Sequence, residues 1–340
     1  MLRLLVFTFL SSIIITGHVF ALCGLENVLV VQNGSSPISC RIAAHYIVQR
    51  SIPADNLVTV NTQDSSISSA NESITWQDYI DKIENPIKAF LTQHNLTDQI
   101  QYIVLTKGIP IRISNGKSVD STLAAIDLVN PILIELTDDN GNVIDTVHLN
   151  RYWRATEPFT HAKYGGYLVT RLDGYTEADA KALVDRAIAQ TAAVHHILLD
   201  IDVNRGLGGP SFQPKSILLP DETINTSYYL DYCDYNADMT RASQVIAGRQ
   251  NLSVQLESTS MFAGSPEPLT SYISWGSNDH HFNLTTYRSL TFAPRGIAET
   301  AVSTSGRTFL PTTGGQSLIA DLIAQGAAGA KGYVTEPYLD

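Results

Sequence analysis

A chain of 340 residues with 44% hydrophobic and 16% charged residues can bury a substantial core and does not have the composition of a disordered protein. Its formal net charge of −11 excludes the basic surface that non-specific binding to nucleic acid or to an anionic membrane requires. The 3 cysteines, Cys23, Cys40 and Cys233, form no CxxC metal or redox motif and allow at most one intramolecular disulfide.

Residues 1–21 read as a secretory signal: Arg3 gives the positive start, Leu4 to Ile15 the apolar stretch, and Ala21 the small residue at the cleavage point. The apolar stretch is too short for a membrane anchor, and Leu22 before Cys23 fits a lipid-attachment site poorly. The expectation is an exported protein, secreted or periplasmic, with no integral membrane segment once the signal is removed. Val28–Gln32 then reads as a buried strand, and Ser36-Pro37 as the cap and first position of a helix running to about Arg50. Leu57–Val60 is a second strand, Trp76–Gln93 a helix with one apolar face, and Tyr102–Leu105 a third strand. This alternation predicts an α/β fold with a doubly wound, mostly parallel sheet.

The alternation breaks at 114–165, where Asp138–Gly141 is a hairpin signal between Ile132–Leu136 and Val143–Leu149. Tyr167–Arg171 resumes the sheet, and Thr176 caps a helix running to Gln190. Further strands are expected at Ser216–Leu219 and Ser253–Leu256, helices at Ala237–Ala247 and Gln316–Gln325, and a last strand at Ala330–Val334. The expected organisation is an N-terminal lobe (22–113), an insertion or bridge (114–165) and a C-terminal lobe (166–340), so two sheet lobes in all. The C-terminal lobe stops just after a strand, as a piece of a longer protein would.

Two segments stand out for function, Ser271–Asp279 and Glu299–Gly306. Each is a short apolar or β-branched run that breaks into small, polar, glycine-containing sequence. In open α/β sheets, ligands and catalytic side chains sit at such strand ends.

Tyr167–Asp173, followed by the helix Ala178–Ile188, resembles a strand and helix of gingipain-type cysteine peptidases. Ile103–Pro110 resembles one of their strand ends, and Gln316–Gly332 the helix and strand after their nucleophile. Nearly all of 26–338 resembles more closely an uncharacterised family of secreted bacterial proteins, through Val30-Val31-Gln32-Asn33, Ser118-Val119-Asp120-Ser121 and Glu336-Pro337-Tyr338. The resemblance implies a caspase/gingipain-like architecture. In those peptidases a histidine in a Gly-His-Gly turn serves a cysteine thiolate on the next strand. Matching the glycines puts Trp275 at the histidine position and Ser303 at the cysteine position. An indole cannot accept a proton, and a serine without a base is not a nucleophile at neutral pH. The resemblance therefore implies a scaffold without cysteine-peptidase activity.

The leading expectation is a binding or interaction module for a ligand or protein partner that the sequence leaves unidentified, with Trp275, Gly276, Asp120 and Arg171 as candidate binding residues. The alternative is a serine-type hydrolase in which Ser303 or Ser305 works with His280 or His281 and Asp279. A purely structural role is a third reading. Asp279, His280 and His281, joined by His161 or Asp120, contain metal-ligand types, but adjacent histidines in an extended segment point opposite ways and no His-Glu-x-x-His spacing is present, so no metal is expected. No cofactor is expected either, because the turn Asn33-Gly34-Ser35-Ser36 has no Gly-x-Gly-x-x-Gly or Walker lysine. Asp120 has the context of a helix cap, and Arg171 with Asp173 that of an ion pair tying the lobes together.

Overall fold

The computed structural model describes residues 24–114, 116–137, 142–148, 150–152, 155–206, 215–218, 224–228 and 232–336. The signal-like residues 1–21, Cys23, the turn Asp138–Gly141, Leu219 and the Pro337-Tyr338 part of the last motif lie outside them, as does the side chain of Cys233. Cys40 is a free thiol on the first helix.

The chain runs β1 (Val28–Asn33), α1 (Pro37–Arg50), β2 (Leu57–Val60), β3 (Ser73–Ile74), α2 (Trp76–Tyr79), α3 (Asn85–Gln93), β4 (Tyr102–Thr106), β5 (Arg112–Ile113), α4 (Val119–Ala124), β6 (Leu133–Thr137), β7 (Val143–His148), α5 (His161–Tyr164), β8 (Leu168–Leu172) and α6 (Glu177–Ile188). It continues β9 (His195–Asp200), β10 (Lys215–Leu218), β11 (Ile224–Tyr228), α7 (Tyr232–Ile246), β12 (Leu252–Glu257), β13 (Leu269–Ser274), α8 (Leu284–Tyr287), β14 (Phe292–Thr300), α9 (Ile319–Ala324) and β15 (Gly329–Lys331). The fold is α/β, and among the described residues its two largest sheets are parallel, ordered β2-β1-β4-β8 and β12-β9-β13-β14-β15. Both wind the same way: the first strand is flanked by its two successors, so the order reverses between β1 and β4 and again between β9 and β13. Among the described residues no helix is long and apolar enough to cross a membrane.

Alternate side chains of the central strands bury opposite faces, as the pleat requires. Leu29, Val31, Ile103 and Leu105 join Ile83, Ile87 and Leu91 in one core cluster. On the other face Val104 meets Ile42 of α1 and Leu183 and Val184 of α6. Each such fully buried aliphatic side chain contributes about 1.5–3 kcal/mol. The second cluster also contains Phe309, Ile319 and Ile323, so the two lobes share one core.

Caps follow the sequence reading at α1, where the Ser36 side chain accepts from the amide of Ser39, and at α6, where Thr176 and Asp179 form a reciprocal capping box. Three expectations change. Ser118, not Asp120, caps α4, its oxygen accepting from the amide of Ser121, which leaves the Asp120 carboxylate for another partner. β8 belongs to the first sheet, in parallel register with β4, rather than to the C-terminal lobe. β9, the strand around which the second sheet winds, is missing from the sequence reading. His195-His196 opens it, and the apolar signal of Ile197–Leu199 is correspondingly short.

Candidate functional site

Both candidate strand ends lie at the C-terminal edge of the second sheet, where β13 and β14 run side by side in register, Ser274 opposite Thr300. Asp200, at the end of β9, is in register with Ser274 on its other side. Trp275 turns inward immediately after β13. It is 2% exposed, donates from Nε1 to Asn236 Oδ1 at 2.7 Å, and carries Tyr235 edge-on and Arg205 over its ring face. A candidate ligand contact is thus a core residue holding α7 against the sheet. Gly276 follows with φ +50, and a Cβ there would come within 2.8 Å of Val302 Cγ2 and 2.9 Å of Ser317 Oγ. This glycine permits the two strand-end loops to approach each other.

Those loops are joined by their own hydrogen bonds. The amide of Ser277 donates to Ser317 Oγ at 3.1 Å, and the amide of Ser317 to Ser277 Oγ at 2.9 Å. The Gln316 side chain donates from Nε2 to Asn278 Oδ1, and its Oε1 accepts from the Thr304 amide and hydroxyl. Asn278 in turn donates to the Ala301 carbonyl at 2.6 Å. Ser305 is fully buried, and among the described residues its hydroxyl has no partner, while Ser303 is partly exposed.

Among the described residues no hydrogen bond joins either serine to His280 or His281. His280 Nδ1 instead lies 2.6 Å from Asp202 Oδ2, and its imidazole is 54% exposed. His281 Nε2 is 3.0 Å from Asn204 Nδ2, and its amide donates to the Asp279 carboxylate. Asp202, fully buried and also bonded to Arg205, is therefore the carboxylate that orients a histidine, a role the sequence reading gave to Asp279. Burial works to raise Asp202, but the bond from His280 and the amides of Asn204 and His280 outweigh it and hold the carboxyl below its ordinary value. Asp279 moves the other way, raised chiefly by burial, and Asp200 is pushed up to about 7 by burial, reinforced by the neighbouring carboxylates. One Asp200 oxygen accepts from the Ala263 amide, and among the described residues the other has no hydrogen-bond partner. Asp202 follows β9 by two residues, so missing that strand meant missing this aspartate.

In the first lobe Arg171 is nine-tenths buried and bridges Asp120 at 2.6 Å, with Asp173 at 3.7 Å and the carbonyls of Ile109 and Pro110 completing its shell. Lys107 pairs with Asp173 at 3.0 Å and donates to the Phe309 carbonyl, while Glu72 accepts from Thr308 Oγ1 and the Phe309 amide. The 301–317 loop of one lobe is thereby fastened to the strand ends of the other. His161 is buried, its amide on Gln101 and its ring 2.8 Å from the Gly166 carbonyl and stacked on Tyr167. The Asn33 side chain is bonded to Thr62 and Gly108, so the first strand-to-helix turn is closed by protein groups. Among the described residues no three His, Cys, Asp or Glu side chains converge as a metal site. No protein-family model, curated protein or solved structure matches this chain.

Proposed function

We propose that the chain is an exported caspase/gingipain-like scaffold that acts as a binding or interaction module and not as a peptidase. The observation that carries this reading is the closure of the 275–281 and 301–317 loops on each other, Ser277 to Ser317 and Asn278 to Gln316 to Thr304. The strand-end side chains Ser277, Asn278, Thr304, Gln316 and Ser317 are committed to holding the fold. Among the described residues no base lies within hydrogen-bond reach of the serines, and His280 is paired with Asp202.

The test is labelling of the purified protein with a fluorophosphonate serine probe, beside Ser303→Ala and Ser305→Ala variants. No labelling of any of the three is expected. Labelling of the parent that disappears in one variant would establish an activated serine and replace this reading with the hydrolase.

A further inference from the structure

We propose that the cleft between β8 and β15 receives an extended peptide segment of a partner protein as an inserted strand, anchored by a carboxylate on Arg50. This rests on reading the chain as a binding module, and it names the class of partner. β8 is the last strand of the first sheet and β15 the last of the second, and the two line opposite sides of a cleft of about 460 Å³. That volume is within the range of about 300–1,000 Å³ typical of ligand pockets.

The backbone of both edges is turned toward this space. The Leu168 amide donates to Gln101 and the Leu172 carbonyl accepts from Lys107, so the even-numbered residues of β8 face β4. Because successive peptide groups of a strand alternate, the N–H and C=O groups of Val169 and Arg171 point into the cleft. On the other side the Ala301 amide donates to Ser274, so the odd-numbered groups of β14 face β13 and its even-numbered groups face β15. With Ile297 opposite Gly329 and Glu299 opposite Lys331, Gly329 and Lys331 bond to β14 and the N–H and C=O groups of Ala330 point outward. Unpaired edge groups of this kind are the template for strand addition, and here two edges offer them to one occupant.

The floor and the ends select the peptide. Leu183, Val184 and Ile323 give an apolar base for alternate side chains. Of the cations lining the cleft, Arg171 is neutralised by Asp120 and Lys331 by Glu299, at 2.8 Å. Arg50 has no ion-pair partner among the described residues and lines the cleft as the last residue of α1. Since α1 runs back antiparallel to the strands, Arg50 sits where β8 and β15 begin. A strand inserted antiparallel to both brings its C-terminal end there, so a C-terminal carboxylate or an acidic residue near that end completes the site.

The experiment pans a phage-displayed library of random linear heptapeptides against the full chain. Enriched sequences are then measured as fluorescein-labelled synthetic peptides, with free and amidated C-termini, by fluorescence polarisation. The variants are Val169→Pro and Ala330→Pro, which remove outward N–H groups without touching either ladder, and Arg50→Glu, each checked for an unchanged melting temperature. Enriched peptides carrying a carboxylate near the C-terminal end, with affinity reduced at least tenfold in all three variants, support the proposal. Loss on amidation assigns the carboxylate to the terminus, and persistence assigns it to a side chain. No enrichment, or equal affinity for the parent and every variant, overturns the cleft assignment while leaving the binding reading intact. Self-association in sedimentation velocity that Val169→Pro abolishes makes the occupant a second copy of this chain and overturns the partner assignment. Cleavage of the bound peptides, seen by mass spectrometry, overturns the binding reading itself.

Discussion

Asp200 shows how a single side chain at the sheet edge acquires a pH dependence that its sequence context hides. It is fully buried, with a carboxyl pushed up to about 7. The folded chain therefore holds a proton that the unfolded chain has released over the interval from about pH 4 to about pH 7. With the unfolded state binding fewer protons, stability from this group is complete below that interval and falls as the pH rises through it, by about 1.4 kcal/mol per unit. Asp200→Asn removes this slope. Denaturant midpoints at half-unit pH steps should fall less steeply for the variant, which overtakes the parent above neutrality, and parallel curves would disprove the assignment. At this scale the sequence was a partial guide. It singled out Asp120 and Arg171 from separate segments, but read Asp120 as a cap and paired Arg171 with Asp173 alone. A capping role depends on which backbone amide is within reach, and Ser118 reaches it first.

At the scale of elements, local chemistry was the best guide where a cap or a turn fixes a boundary. Thr176 and Asp179 close a capping box at α6, and Thr176→Ala should cost about 1 kcal/mol, read from the urea midpoint at unchanged m-value. Because α6 packs on α1 and lines the β8–β15 cleft, that loss is felt by the whole chain rather than by a fraying end. Elsewhere periodicity misled. The helix expected at 316–325 begins only at Ile319, since Gln316 and Ser317 are bonded to the facing loop. The hairpin β6–β7 forms close to its expected limits, as both strands carry their own alternation.

For the whole molecule the decisive contacts are long-range in sequence. Lys107 and Asp173 are each 3% exposed, and Lys107 also bonds to Phe309 of the other lobe. Asp173→Ala strands a buried ammonium and should cost about 3–5 kcal/mol. Since Phe309, Ile319 and Ile323 share a core with Ile42 and Val104, calorimetry should show one transition for both lobes, with equal calorimetric and van't Hoff enthalpies, in the parent and in this variant. Two resolved transitions would refute the shared core. The sequence by itself determined the α/β class, the parallel winding and the caps of α1 and α6, because these follow from the order of apolar runs and from side chains acting on amides three residues away. Only the tertiary structure decided that Trp275 is core, that Asp202 holds His280, that the strand-end loops close on each other and that two sheet edges face one cleft. Those outcomes depend on which distant segments share a space, and no local spacing encodes that.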